Sequence, residues 1–368
     1  MKNDKRIVLT LDAGGTNLRF SAIQGGKSIS KPVNLSASAE NLDLMLEKIV
    51  SGFKSLIKSL NQKPDAISFA FPGPADYERG IIGDLENLPV FRGGVALGPF
   101  LQNEFNLPVF INNDGDLFTL GEAIGGVLPN INAELEQNGN PKRYRNLLGL
   151  TFGTGFGSGI VSNGNLFIGD NSAQAEINRM RNHLISETSV EDSVSIRAIK
   201  RVYAKEANVL INDCPEPFEI YKIGMGESKG NKTAALKAFE CFAKAAANAA
   251  ADAITMLDGI VVIGGGLSGA SDLFMNHFCQ EMNKPFTSLQ GKPLDRMEVK
   301  AYNLTNQEEK QAFLMSNSKQ ILIPRTNKTI SYDESKKIGV CISLLGTSEA
   351  VAIGAYAFAL QKLDESTI

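Results

Sequence analysis

IVLTLDAGGTN, residues 7–17, is an apolar run that closes on an acid and breaks into paired glycines before a second strand-like stretch, LRFSAI at 18–23. Read by period, residues 7–11 form a short buried strand, 18–23 a second strand, and Gly25-Gly26 the hairpin turn after it. The same plan returns at 147–152, where LLGLTF runs into Gly153-Thr154-Gly155-Phe156-Gly157-Ser158-Gly159, and residues 159–162 read as the returning strand. Paired glycines let a backbone turn sharply and present its N–H groups to a phosphate. Taken alone, the first turn also fits a plain hairpin and the second a flexible loop. Strand, glycine turn, strand, found twice, is a weak internal repeat. It points to two related α/β domains with a cleft between them.

Working outward, Leu42, Met45, Leu46, Ile49, Val50, Phe53, Leu56, Ile57 and Leu60 recur at helical spacing over 40–60. A strand at 66–70 is closed by the stiff FPGP turn, and a strand at 108–112 ends at Asn112-Asn113-Asp114 before a helix of about 116–124. Further on, a long helix at 232–257 precedes the strand IVVI (260–263), and a last helix is expected at about 347–362. Residues 128–146 and 300–345 read as insertions or loops, the second with room for an extra hairpin.

The 368 residues suit about two domains, and 43% hydrophobic content supplies ordinary cores. A net charge of −3 argues against a nucleic-acid surface. Cys214, Cys241, Cys279 and Cys341 form no C-x-x-C motif, and with only two histidines a His-based metal site is not expected. The stretch 234–257 carries Lys237, Glu240, Lys244 and Asp252, so a membrane span is not expected, and MKNDKRIVLTL lacks the apolar region of a signal peptide. A cytoplasmic location is the expectation.

Gly264-Gly265-Gly266-Leu267-Ser268-Gly269 formally matches G-x-G-x-x-G. It lies late in the chain, and no acid ends a following strand about 20 positions on, so a dehydrogenase is the weaker reading. No G-x-x-x-x-G-K-[ST] loop is present. Three nucleotide-type turns on two similar halves resemble the superfamily of actin, sugar kinases and the large heat-shock chaperones. The detail resembles the ROK family (repressors, open reading frames and kinases). It rests on DAGGTN at 12–17, FPGPAD at 71–76, ENLPVF at 86–91, NND at 112–114, LGEAIGG at 120–126, TFGTGFGSGIV at 151–161, AEI at 175–177, VIGGGL at 262–267 and GTSEAVAIGAYAFAL at 346–360.

The resemblance implies an α/β fold of two actin-like (ribonuclease H-like) domains with an interdomain cleft, with residues 1–113 plus 347–368 in the N-terminal domain and 114–346 in the C-terminal one. It implies that Asn113 and Asp114 grip a sugar and that Asp114 is the general base. A sugar hydroxyl is a poor nucleophile, and a carboxylate in hydrogen-bond reach can take its proton. Glu176 matches a glutamate that binds sugar hydroxyls, but the usual Glu-Ile-Gly-His is here Glu176-Ile177-Asn178-Arg179, and no cysteine lies before Cys214. The family's structural zinc is therefore not expected. The spacing of 190–199 carries the family's second glutamate to Glu191. Gly73 and Asn87 match positions near the sugar. For ATP, the resemblance places Asp12 near Mg²⁺ through a bound water, Gly14, Gly15, Thr16 and Asn17 beside the phosphates, Thr154 and Gly155 at the β/γ-phosphates, and Gly265 and Gly266 beside the adenosine. Arg19 follows the first turn, where it could donate charge or pair locally.

The leading expectation is an ATP- and Mg²⁺-dependent hexose 6-kinase, with glucose ahead of N-acetylglucosamine, N-acetylmannosamine, mannose and fructose. Its partner is a small sugar, and family analogy suggests a homodimer. A non-catalytic sugar sensor is the reading from another class. Against it, only six residues precede the first strand, and Asp114 is retained.

Overall fold

The computed structural model describes residues 1, 3–13, 17–85 and 88–366. Gly14, Gly15 and Thr16 of the expected phosphate turn, and Asn87, lie outside the described residues. The chain divides into two compact units, Met1–Gly126 with Gly159–Ala175 and Leu344–Ile368, and Val127–Ser158 with Glu176–Ser343.

In the first unit, β1 (Ile7–Ala13) pairs antiparallel with β2 (Asn17–Gln24), which in turn pairs with β3 (Lys27–Ser28) and β4 (Val33–Ser36). After α1 (Leu42–Lys58), β5 (Ala66–Ala70) joins β1 in parallel. A small ribbon, β6 (Ala75–Asp76) with β7 (Ile81–Ile82), and α2 (Leu97–Phe105) lead to β8 (Val109–Asn112), parallel to β5. The order is β3–β2–β1–β5–β8. Burial on both faces explains why β1 is a nearly continuous apolar run. Ile7, Leu9 and Leu11 pack into the core shared with α1, and Val8 packs with Tyr356, Ala359 and Leu360 of the C-terminal helix, Thr347–Glu365.

Helix α1 buries Met45, Ile49, Phe53 and Leu56, and its N-cap Asn41 accepts from the Leu44 N–H at 2.9 Å. Phe53 meets Phe20 edge-on at 5.0 Å. Each such side chain contributes about 1.5–3 kcal/mol by burial, and together they fix which face of the 17-residue helix meets the sheet. Helix α3 (Asp114–Ile124) starts one residue past β8 and crosses the C-terminal helix. A Cβ on Gly121 would collide with the backbone of Ala350, and one on Gly354 with that of Leu117, so these glycines allow the two helices to touch backbone to backbone.

The second unit opens with α4 (Val127–Gln137) and β9 (Leu147–Phe152); β10 (Phe156–Ser162) begins there and runs on into Gly159–Ala175 of the first unit, which holds β11 (Asn165–Leu166). Helices α5 (Ile196–Ala207), α6 (Pro217–Met225) and the alanine-rich α7 (Lys232–Leu257) precede β12 (Ile260–Gly264) and α8 (Ser271–Met282). The ribbon β13 (Phe286–Thr287) with β14 (Pro293–Leu294) is followed by β15 (Lys300–Asn303), α9 (Gln307–Leu314), the hairpin β16 (Lys319–Leu322) with β17 (Thr329–Tyr332), and β18 (Lys337–Ile342). The sheet order is β11–β10–β9–β12–β18–β15. Apart from β15 at the edge, this repeats the connectivity of the first sheet: two turns of hairpin, then parallel crossovers. That is the expected α/β arrangement of two actin-like domains.

The structure differs from the sequence reading in three places. Residues 128–146 are not all loop, because α4 buries Leu128, Ile131 and Leu135 at helical spacing, with Pro129 tolerated in its first turn. Within 300–345, besides the hairpin, β18 is a buried strand between β12 and β15. The third concerns the boundary expected after residue 113. Helix α3 and Gly159–Ala175 group with the first unit, because α3 is packed on the C-terminal helix and on β11.

Candidate active site

In the first unit, the end of β1 and the start of α3 hold the expected site residues Asp12, Asn113 and Asp114. Asp12 is exposed at the last turn of β1, in register with Arg19 of β2 and Ala70 of β5. It faces a cavity of about 740 Å³ with Thr10, Arg19, Ser21, Thr347 and Ser348. Arg19 makes no ion pair among the described residues and presents its charge to that cavity. Asn17, the first residue of β2, is exposed and pairs in register with Ser36.

Asn113 is the N-cap of α3, and its Oδ1 accepts from the Gly115 N–H at 2.8 Å. Its Nδ2 donates to the Tyr77 hydroxyl at 3.4 Å, and that hydroxyl donates to the Phe71 carbonyl at 2.9 Å. Asp114 is the first residue of α3 rather than its cap. Its Oδ1 accepts from the Gly115 N–H at 2.8 Å, and its other carboxylate oxygen has no hydrogen-bond partner among the described residues. The carboxyl is held above the ordinary carboxylate range. Desolvation by the surrounding protein is the main cause, the Gly115 and Asp114 amides oppose it, and the negative Asp12 adds to it. The side chain itself is exposed.

Gly73 sits in the exposed FPGP turn, where a Cβ would stand 3.2 Å from the Tyr77 hydroxyl. The structure therefore brings Asp12, Gly73, Asn113 and Asp114 together. It adds Tyr77, which the sequence reading missed. Its signal was available: a tyrosine three residues past the FPGP turn, whose N–H also bonds Ser172 Oγ at 3.0 Å.

In the second unit, Thr154 and Gly155 form the tip of the turn between β9 and β10, Thr154 exposed and Gly155 half-buried. Beneath it, Phe152 packs on Phe156 at 5.4 Å, on Phe242 at 5.1 Å and on Phe274 at 6.0 Å, which makes a rigid base for the glycines. Glu191 lies against this turn. Its Oε2 accepts from the Phe156 N–H at 3.1 Å, and its Oε1 is 3.8 Å from Arg197. Gly265 has φ +85°, and a Cβ there would collide with the backbone of Phe152, so only glycine fits. Gly266 faces open space. Glu176 is exposed at the head of a short 3₁₀ turn, Ile177–Arg179, directly after Ala175 at φ +56°. Among the described residues no group of three or more His, Cys, Asp or Glu side chains is arranged to hold a metal ion.

The two sheets of matching connectivity define an α/β protein of the actin-like class. The ROK family model matches residues 8–308, and the chain belongs to the ROK family. It is 50% identical to a crystal structure of glucokinase from Parabacteroides distasonis, with a TM-score of 0.89 over 98% of this chain and 99% of that one. It is also 25% identical to the glucokinase of Thermotoga maritima over 72% of this chain and 84% of that protein. To the N-acetyl-D-glucosamine kinase of Photobacterium profundum it is 25% identical over 72% and 85%.

Proposed function

We propose that this chain is an ATP-dependent kinase that transfers the γ-phosphate to the 6-hydroxyl of a hexose, glucose first. The observation that carries the reading is Asp114. One carboxylate oxygen is tied to a helix amide, the other is open, and the group is held above the ordinary carboxylate range. Raising the pKa makes a carboxylate a better acceptor for the proton that a sugar hydroxyl gives up as it attacks phosphorus. Asn113, with its carbonyl committed to the cap and one N–H directed at Tyr77, would offer its remaining N–H to a sugar oxygen. Glu176 is exposed and would accept from a sugar hydroxyl; Gly73 and Asn87 would lie nearby.

Asp12 fits Mg²⁺: it is an exposed carboxylate whose charge Asp114 feels, and a cation there would relieve that repulsion. When bound, Mg²⁺ would supply charge neutralisation to the phosphates. The chain's own contributions would be the amides at Gly14, Gly15, Thr154 and Gly155, with Thr16 and Asn17 beside the phosphates and Gly265 and Gly266 beside the adenosine. Homodimer formation belongs to the same proposal and is checked by sedimentation velocity.

The test is sugar-dependent ADP release across glucose, mannose, fructose, N-acetylglucosamine and N-acetylmannosamine. Glucose should turn over with the highest kcat/KM, and Asp114→Asn should lower the rate by at least about 10²-fold while glucose still binds. Preference for an N-acetylhexosamine shifts the substrate within the same mechanism. Binding without turnover supports a sugar sensor, and near-normal turnover in the variant removes Asp114 from its role.

A further inference from the structure

Between the 3₁₀ turn at Ile177–Arg179 and α5, the chain makes a loop without sheet or long helix that nonetheless carries Glu191 to the glycine turn. Its closure rests on one side chain. Asn182 is fully buried. Its Oδ1 accepts from the Leu184 and Ile185 N–H groups at 3.0 and 3.3 Å, a local turn that many asparagines make. Its Nδ2 reaches across the loop to Ser193 Oγ at 2.8 Å, Thr188 Oγ1 at 3.1 Å and the Ser189 carbonyl at 3.4 Å. Backbone bonds close the loop beside it, Asn182 N–H to Thr188 O at 3.0 Å and Val190 N–H to Met180 O at 2.9 Å.

The far end of the loop grips the glycine turn twice. The Glu191 carboxylate accepts from the Phe156 N–H, and the Ile196 N–H donates to the Gly153 carbonyl at 3.0 Å. Ser193 lies between those two anchor points, and Asn182 holds its hydroxyl.

We propose that Asn182 is a positioning residue of the site: its buried amide holds the 180–195 loop so that Glu191 braces the turn carrying Thr154 and Gly155. The donor half of the amide is the specific part, because the local turn needs only the acceptor. An amide of this kind uses its full bonding capacity here, and its loss leaves buried partners unpaired.

The kinetic arm of the test rests on the kinase reading; the exchange arm does not. Asn182→Ala, Asn182→Asp (acceptor kept, donors lost), Ser193→Ala and Glu191→Ala are compared with the native protein below their melting temperatures. Hydrogen exchange at the Phe156 amide should become faster in all four. In the Asn182 and Ser193 variants ATP KM should rise about tenfold, with a smaller change in sugar KM, because a site held out of place loses its binding geometry. Asn182→Ala combined with Glu191→Ala should be no worse than either alone, since one acts through the other. Additive losses in the double variant, or native Phe156 protection in Asn182→Asp and Ser193→Ala, overturn the proposal. If Asn182→Ala fails to fold, Ser193→Ala decides it, since that variant removes only the far partner. A native protein that phosphorylates no sugar defeats the kinase reading, and the exchange data still judge Asn182.

Discussion

Besides the catalytic role proposed for it, Asp114 carries a thermodynamic signature. A carboxyl whose folded-state pKa lies above its ordinary 3.8 favours folding only while protonated. That contribution is complete below the unfolded value and is lost as pH rises through the folded value. At pH 7 the ionised group is therefore a net cost to the fold. Asp114→Asn should melt higher than the native protein at pH 7, with the gap closing as pH falls through the folded value and gone below about 3.8; a variant that melts lower at pH 7 contradicts the upward shift. Asn113 should show the opposite division of labour. Losing an N-cap costs about 0.5–2 kcal/mol, but the Gly115 N–H keeps Asp114 Oδ1 as a second acceptor at 2.8 Å. Asn113→Ala should thus sit at the low end in chemical unfolding while sugar KM rises about tenfold, the scale of one lost hydrogen bond to a ligand. Both residues were legible from the sequence by resemblance. Which of them caps the helix was not, because the cap depends on where β8 ends and α3 begins.

Among elements, the crossing of α3 with the C-terminal helix sets where Asn113 and Asp114 stand. Gly354→Ala inserts a methyl where the Leu117 backbone lies, and overpacking of this kind costs typically 1–3 kcal/mol. The urea midpoint should fall accordingly, and sugar turnover should fall with it because α3 moves; an unchanged midpoint means the helices separate freely. Gly265→Ala belongs to the other unit. There the positive φ and the Phe152 backbone both exclude a side chain, so ATP KM should rise with little change in sugar KM, measured by varying each substrate at saturation of the other. The elements that escaped the sequence reading, α4 and β18, escaped for a shared reason. Both are short apolar runs beside long polar stretches, which period alone does not assign, and only the folded unit shows them buried, β18 between β12 and β15 in the sheet.

For the whole molecule, a zinc chelator should leave the melting temperature unchanged, measured with and without EDTA. A fall of several degrees would mean that a bound metal supports the fold. Glucose together with a non-hydrolysable ATP analogue should raise the melting temperature further than either alone, as ligands that bind only the folded state do. The sequence by itself determined the repeated strand–glycine turn–strand plan, the helix and strand periods, and the residue types of the site, because backbone freedom at glycine and hydrophobic period are local properties. The tertiary structure decided what depends on distant partners. Residue 113 caps α3 and residue 114 keeps an open oxygen, and Tyr77 ties the FPGP turn to Asn113. Glu191 binds the Phe156 amide, and the loop that delivers it is held by Asn182. A hydrogen bond between residues 35 positions apart, as between Phe156 and Glu191, has no periodic trace in the chain and exists only once folding has brought its two ends together.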